Sequence, residues 1–549
     1  MHLRSLRLPV VAAATTAVLA LALGAGGGTA GASTTMLNGP SPVVGIRYYL
    51  AHPKAAPSAL REQFLAAHAA AQSASKSAAS APAAPVAGVR NVFNRDTDGL
   101  PQNEEAVSAC TANPDLVISG TNDYRGILDA QGDFTGWYYS NDGGQTLRNE
   151  GLLPPARSAA GDVVPSGGDP TFAMSADCSA VYGASINYGN GNIGETPSIE
   201  AVYRSTPQRL ASCPQGGSGG TLTHPSCWPT RVAVATAAPG HFIDKDWMAT
   251  SSGPGGDYVW VAFDDLSQFN SEGNEEAGVV EIVRCSADLS SCTHPIPLSG
   301  GQKVAEYPTV TVDRDGRVYV TWGEFFGDSF IGPAQRGWVA VAEAGSLSFT
   351  KHPIVKENQV IRAQETLHAN SFRVGTMFKN TVTIVHGHPV ILATWDRCKL
   401  HVVDQFCEEA EIQVSTSSDL GRTWSNPRTI SAGGDNVFPY LDTDPVTQQV
   451  VGVWYTSRFD PVFHNRQDVE MVGLNADGVV QHRTRVTKVS NETESDPILG
   501  AAFIGDYIQV DAVAGRAYVA YNANLKHVRL FGQGVPIPQQ DNYLVRVPE

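Results

Sequence analysis

From about residue 91 onward, apolar residues alternate with polar ones in short runs, the period of half-buried strands. The runs recur in a fixed layout. Glu306–Phe325, EYPTVTVDRDGRVYVTWGEF, reads as a strand, a D-x-D-G turn and a second strand. The same layout begins at Glu104, Asp169, Lys245, Phe438 and Gly505, and less clearly at Gly375. The period is about 65 residues. Two more alternating segments fit between most copies, such as GWVAVAEAG and LSFTKHPIV after Phe326. Four strands per repeat in up-and-down order make a propeller blade, so the pattern predicts an all-β propeller over 91–549. Seven blades are expected, or six if the copy at Gly375 is not one. The last copy has room for only a third strand, DNYLVRV at Asp541–Val547. NVFNR at Asn91–Arg95 is expected to supply the fourth and close the ring, which removes the open sheet edges.

Upstream of the repeats the pattern changes. Ser58–Ala79 carries Leu60, Phe64, Leu65 and His68 at helical spacing, followed by an Ala/Pro stretch. Residues 33–90 therefore read as a leader with one helix and a linker, with disorder as the alternative. Arg4 and Arg7 precede an apolar run from Val10 to Gly24, and Ala30-Gly31-Ala32 offers a cleavage site, so 1–32 reads as a signal peptide. An uncleaved anchor is the competing reading. The expectation is export to the extracellular space, with no membrane contact after cleavage.

Composition narrows the partners. The net charge of −16 becomes −18 with loss of the two arginines of the signal peptide, and it argues against a nucleic-acid binder. Gly 54 and Pro 34, beside only 17% charged residues, fit many short strands joined by turns. Eight cysteines in an exported chain favour disulfides. The spacing suggests Cys213–Cys227, Cys285–Cys292 and Cys398–Cys407, leaving Cys110–Cys178 as the long-range bridge. No C-x-x-C occurs, so no zinc site and no cofactor are expected, although a Ca2+ in an acidic channel mouth stays open. A monomer that meets a carbohydrate or a cell-surface protein is the expected state.

Two segments share one short motif. Ser417, Asp419, Gly421, Thr423 and Trp424 fit S-x-D-x-G-x-T-W, and Ser140, Asp142, Gly144 and Thr146 match it with Leu147 in place of the Trp. A degenerate copy is Ser286-Ala287-Asp288. The Asp accepts backbone N–H bonds within a hairpin whose Gly takes positive φ. With these boxes between third and fourth strands, the chain resembles the Asp-box, or BNR-repeat, sialidase superfamily, and more closely its exported bacterial sialidase-like proteins. The resemblance covers about Asn91 to Pro548. It implies that the boxes are structural and lie away from the active face.

Topology sorts the candidate chemistry. First-strand starts and second-strand ends share one face, the channel mouth. The starts supply Glu104, Glu105, Asp169, Asp244, Asp246, Glu306 and Asp506, and the ends supply Arg125, Arg397 and Arg458. The main reading is a propeller that recognises a glycan or protein ligand there, with Arg125, Arg397, Arg458, Asp246 and Glu306 as ligand-binding candidates. The alternative is an exo-α-sialidase-type glycoside hydrolase. The resemblance implies that such an enzyme sets three arginines on a substrate carboxylate, with an acid/base Asp and a Tyr nucleophile. Asp169, Asp506, Tyr507 and Tyr440 are the candidates, and planar guanidinium groups suit a carboxylate. The F/Y-R-I-P motif of true sialidases is missing; the nearest segment is Gly45-Ile46-Arg47-Tyr48-Tyr49. The competing reading has the arginines pairing with the acidic strand starts and stitching blades together. Trp247, Trp322 and Trp395 are either sugar platforms or packing between blades.

Overall fold

A computed structural model describes residues 92–549 except 130–131, 190–197, 217–220, 254, 270–274, 301–303, 330–331, 355–359, 362–366, 368, 402–406 and 500–502. The signal peptide, the leader helix and Asn91 lie outside the described residues. Among the described residues seven antiparallel sheets follow one another in sequence order as a seven-bladed propeller, and a two-stranded pair, Ala156–Arg157 with Val163–Val164, lies between the first two. Blades 1 to 7 span 102–152, 166–236, 242–297, 305–353, 379–429, 436–485 and 509–548. The copy at Gly375 is blade 5, with first strand Lys379–Val385 and second strand His388–His401.

Six blades complete four strands from their own repeat, and blade 4 adds a short pairing of Val360–Ile361 with its third strand. Blade 7 has three: Gln509–Val513, Arg516–Arg529 and Pro536–Pro548. Val92 bridges Tyr543 antiparallel and the Phe93 amide donates to the Asn542 carbonyl at 2.7 Å, so the N-terminal segment closes the ring at this edge. Asn94 then donates to Gln102 at 2.5 Å and to Asp541 at 2.8 Å, tying the closing segment to blades 1 and 7.

The core lies between blades, filled by the alternating apolar face of each strand. Trp137, Trp228, Trp260, Trp322, Trp395 and Trp454 are all fully buried in it. The four disulfides are Cys110–Cys178, Cys213–Cys227, Cys285–Cys292 and Cys398–Cys407. No helix among the described residues is long and apolar enough to cross a membrane.

The two boxes occupy the turns between third and fourth strands. Asp142 accepts from Ser140 Oγ at 2.7 Å and from the Thr146 amide at 2.9 Å. Asp419 accepts from Ser417 Oγ at 2.9 Å and from the Thr423 amide at 2.8 Å, and Trp424 Nε1 donates to the Gly421 carbonyl. Gly421 sits at φ +82°, and a Cβ there would meet Val339 at 2.6 Å. Burial is the largest single influence and opposes ionisation, but the hydrogen bonds from Thr146 and Ser140, and from Thr423 and Ser417, together outweigh it and hold both carboxyls below the ordinary range. The Gly143 amide donates to the Asp115 carbonyl beside the start of the second strand, so this turn lies on the face opposite the mouth.

Candidate functional site at the channel mouth

Five first strands carry a bulge where they leave the mouth. The register shifts at Asn103/Ala106, Gly168/Thr171, Asp244/Trp247, Glu306/Thr309 and Val437/Tyr440. Inside the shifts, Glu104, Asp169, Lys245, Tyr307 and Phe438 adopt φ between 50° and 63°. Left-handed backbone costs a non-glycine residue about 1–3 kcal/mol and gathers where side chains must be re-aimed.

In blades 1, 2 and 3 the re-aimed residue is charged, and the three meet. Lys245 Nζ lies 3.1 Å from Glu104 Oε1, 3.0 Å from Asp169 Oδ2 and 2.9 Å from Asp506 Oδ2, joining blade 3 to blades 1, 2 and the segment just ahead of blade 7. Asp506 also takes a two-pronged pair from Arg373, Nε to Oδ1 at 2.9 Å and Nη2 to Oδ2. Asn122 donates to Glu104 and accepts from the Asp169 amide at 2.6 Å. Gly168 leaves room for that contact, since a Cβ there would meet Asn122 Oδ1 at 2.6 Å.

The protonation states divide. Burial raises the Asp506 carboxyl, but Arg373 and Lys245 outweigh it and hold it well below the carboxylate range. Asp169 is likewise lowered against burial, chiefly by Lys245. Glu104 goes the other way, raised by burial and then by the charges of Asp169 and Asp506. Two cations thus face two carboxyls held low and one, Glu104, pushed up. Burial also raises Asp246, Asp264 and Glu200 and brings Asp244 to about 7. Neither oxygen of Asp246 has a hydrogen-bond partner among the described residues.

Two residues further into the channel the layer turns aromatic. Trp247 donates to the Tyr440 hydroxyl at 3.1 Å, and Gln509 donates to the same oxygen at 3.3 Å. Tyr507 packs edge-on to Trp247 with centroids 5.4 Å apart. Lys379 reaches in from blade 5, its Nζ 3.9 Å from the Trp247 ring centroid. Trp322 and Trp395 are packing between blades, whereas Trp247 and Tyr440 belong to this layer. Above the floor, second strands overhang: in blade 5 from Thr394, opposite Lys379, to His401, and in blade 7 from Ala520, opposite Gln509, to Arg529. The site is a recess walled by hairpins.

The structure brings Asp169, Asp506 and Tyr507 into this floor, with Asp246 and Glu306 beside it. The arginines stand elsewhere. Arg125 is fully buried and holds Asp123 at 2.6 Å and Glu150 at 3.3 Å. Arg397 pairs with Glu411 at 2.7 Å, and Arg458 pairs with Glu470. All four partners lie within the arginine's own blade rather than at acidic strand starts, and Arg397 and Arg458 keep over a third of their side-chain surface exposed. Tyr507 is a phenol with a raised pKa, by burial first and then by Asp169 and Glu104, and its hydroxyl has no partner among the described residues. Glu105 is sealed in the core and raised by burial. The sequence reading missed Lys245, Arg373 and Lys379. Lys245 had a signal, being the lone base in the Asp-Lys-Asp of a strand start. No group of three or more His, Cys, Asp or Glu among the described residues is arranged to hold a metal ion.

No family model matches the chain, and no curated protein does. Among solved structures it is similar to the polysaccharide lyase Uly1, at TM-score 0.45 and 12% identity over 87% of this chain and 95% of that one. It is also similar to a Penicillium chrysogenum alpha-L-arabinanase complexed with arabinobiose, at 0.39 and 10% over 67% and 92%. Trypanosoma rangeli sialidase in complex with the inhibitor DANA gives 0.36 and 12% over 65% of this chain and 53% of that one. Scores and identities of this size carry no chemistry from those proteins to this chain.

Proposed function

We propose that the chain is an exported, sialidase-like Asp-box propeller that binds a carbohydrate in the recess of its mouth face. The observation that carries the reading is the floor itself. Charged side chains from blades 1, 2 and 3, and from the segments just ahead of blades 5 and 7, converge on Lys245 and Asp506 beside Trp247, Tyr440 and Tyr507. Sugars present hydroxyl pairs to fixed carboxylates and cations, and apolar C–H faces to aromatic rings. Arg397 and Arg458, half-exposed at second-strand ends, supply donors to the rim. Four disulfides support export, since such bridges persist in oxidising compartments.

A glycan array probed with the chain tests the reading. Selective binding is expected, weakened about fivefold or more by Arg397→Ala, in line with loss of one charge-assisted hydrogen bond at a partly exposed site. An array on which nothing binds would overturn it. One observation favours a second reading, that a glycosidic bond is cut. Asp506 is held well below the carboxylate range while burial brings Asp244 to about 7, and a split between two carboxyls that both act on Lys245 is how one site keeps both an acid and a base. The arginine-cluster form draws no support from Arg125, whose guanidinium is occupied. A fluorogenic glycoside panel, sialosides included, decides this: silence across it retires hydrolysis and leaves binding intact.

A further inference from the structure

Lysines reach the channel from two blades, and their surroundings differ. Lys245 is saturated with carboxylates. Lys379, the first residue of the first strand of blade 5, has no ion pair or hydrogen bond to its Nζ among the described residues. It crosses the axis to lie 3.9 Å from the Trp247 ring centroid and 5.8 Å from that of Tyr507. The strand holds it there: Asn380 donates to the Thr309 carbonyl and to Thr321 Oγ1, both at 2.9 Å, clamping blade 5 to blade 4. The residue is only 2% exposed, and Trp247, Tyr507, Asp506 and Lys245 around it keep 3%, 4%, 3% and 5%, so the amine sits within a closely packed cluster at the floor.

We infer that Lys379 is a nucleophilic amine in the recess, placed to take the carbonyl carbon of an aldehyde or ketone as an imine. The charge balance around it favours the neutral form. Burial lowers its pKa first and the ammonium of Lys245 lowers it further, against the pull of Asp506, Asp264 and Asp169, and the outcome is about 7. The ring face of Trp247 attracts an ammonium, but such contacts offset only part of the desolvation of a buried lysine. A desolvated lysine beside a second cation is a recognised route to an amine that reacts at neutral pH. The step balances without a co-reactant. The nitrogen lone pair adds to the carbonyl carbon, and the C–O bond then breaks. The oxygen leaves as water with the two amine protons, and a C=N bond remains. Trp247 and Tyr507 would flank the ligand, and an open-chain reducing sugar is one carbonyl of suitable size. The inference does not depend on the ligand being a glycan.

The test uses the unmodified chain, so no outcome depends on a variant folding. Glycolaldehyde and sodium cyanoborohydride trap any imine as a secondary amine, which peptide mass mapping locates. Lys488, exposed on the surface, is the internal reference. At pH 7 a lysine titrating there is half neutral, whereas an ordinary lysine is neutral in fewer than about one molecule in a thousand. Allowing for restricted access, Lys379 is expected to be alkylated on the order of tenfold faster than Lys488. Its rate should reach half-maximum near pH 7, and the advantage should vanish in urea. Labelling no faster than Lys488, or no labelling of Lys379 in the folded chain, would overturn the inference, and the glycan array would be unaffected.

Discussion

At the scale of the residue, the floor of the recess is organised by one ammonium group. Lys245 lies within 3.1 Å of three carboxyl groups from three other parts of the ring, and each of the four side chains is at least nine-tenths buried. Removing one partner of a buried ionic set leaves the others uncompensated, at a cost of about 3–5 kcal/mol. Lys245→Met is therefore expected to lower stability by that amount at pH 8. The loss should shrink at pH 5. Without the ammonium, Asp169 and Asp506 lose a group that lowers their pKa, so acid neutralises them in the variant while they stay ionised in the parent. Urea denaturation at the two pH values measures it, and an equal loss at both would refute the account. The acids of this cluster were legible in the sequence, because strand starts on one face of a propeller must converge. Its cations were not. Arg373 comes from the segment ahead of blade 5, where no strand periodicity marks it. Lys245 is aimed by a bulge, and a bulge breaks the alternation on which strand reading depends.

The blades were legible as elements because every repeat spells the same strand, turn and strand, and even the weak copy at Gly375 obeys the pattern once built. Bulges left a fainter mark. Three of the five residues in left-handed backbone, Asp169, Tyr307 and Phe438, are followed by Pro, which cannot donate to a ladder and is tolerated at such irregularities. At second-strand ends the arginines meet carboxylates of their own blades, and which carboxylate each would meet was not written in strand register alone. Blade 7 is the element whose integrity depends on distant chain. Phe93 is 3% exposed and packs with Val107, Val513, Tyr518 and Leu544. Phe93→Ala should cost about 3–5 kcal/mol, as large aromatic truncations in a core do. Phe463→Ala, at a side chain 66% exposed, should change stability by less than about 0.5 kcal/mol. Comparable effects in denaturant titrations of the two variants would count against closure by the N-terminal segment.

Over the whole molecule, burial outweighs whatever cations lie near many of the acids. Burial lifts Asp133, Asp244, Asp396, Asp511 and Asp541 each to about 7. Their unfolded values lie near 4, so the stability they contribute is complete below about pH 4 and is lost as pH rises through 7. The lowered groups, Asp142, Asp169, Asp419 and Asp506, contribute fully above the ordinary carboxylate range and do not change between pH 5 and 8. Lys379 opposes the trend from about pH 7 upward, where the folded chain loses its proton while the unfolded chain keeps it. The thermal midpoint is therefore expected to fall from pH 5 to pH 8, and calorimetry showing a rise would refute this balance. Ring closure has a geometric sequel. Val92 pairs antiparallel to a strand that descends from the mouth, so the chain enters the ring travelling toward the mouth and arrives from the side of the boxed turns. A bead or surface that grips the protein just ahead of Val92 would hold it from behind, and every copy would turn its recess toward the surrounding liquid.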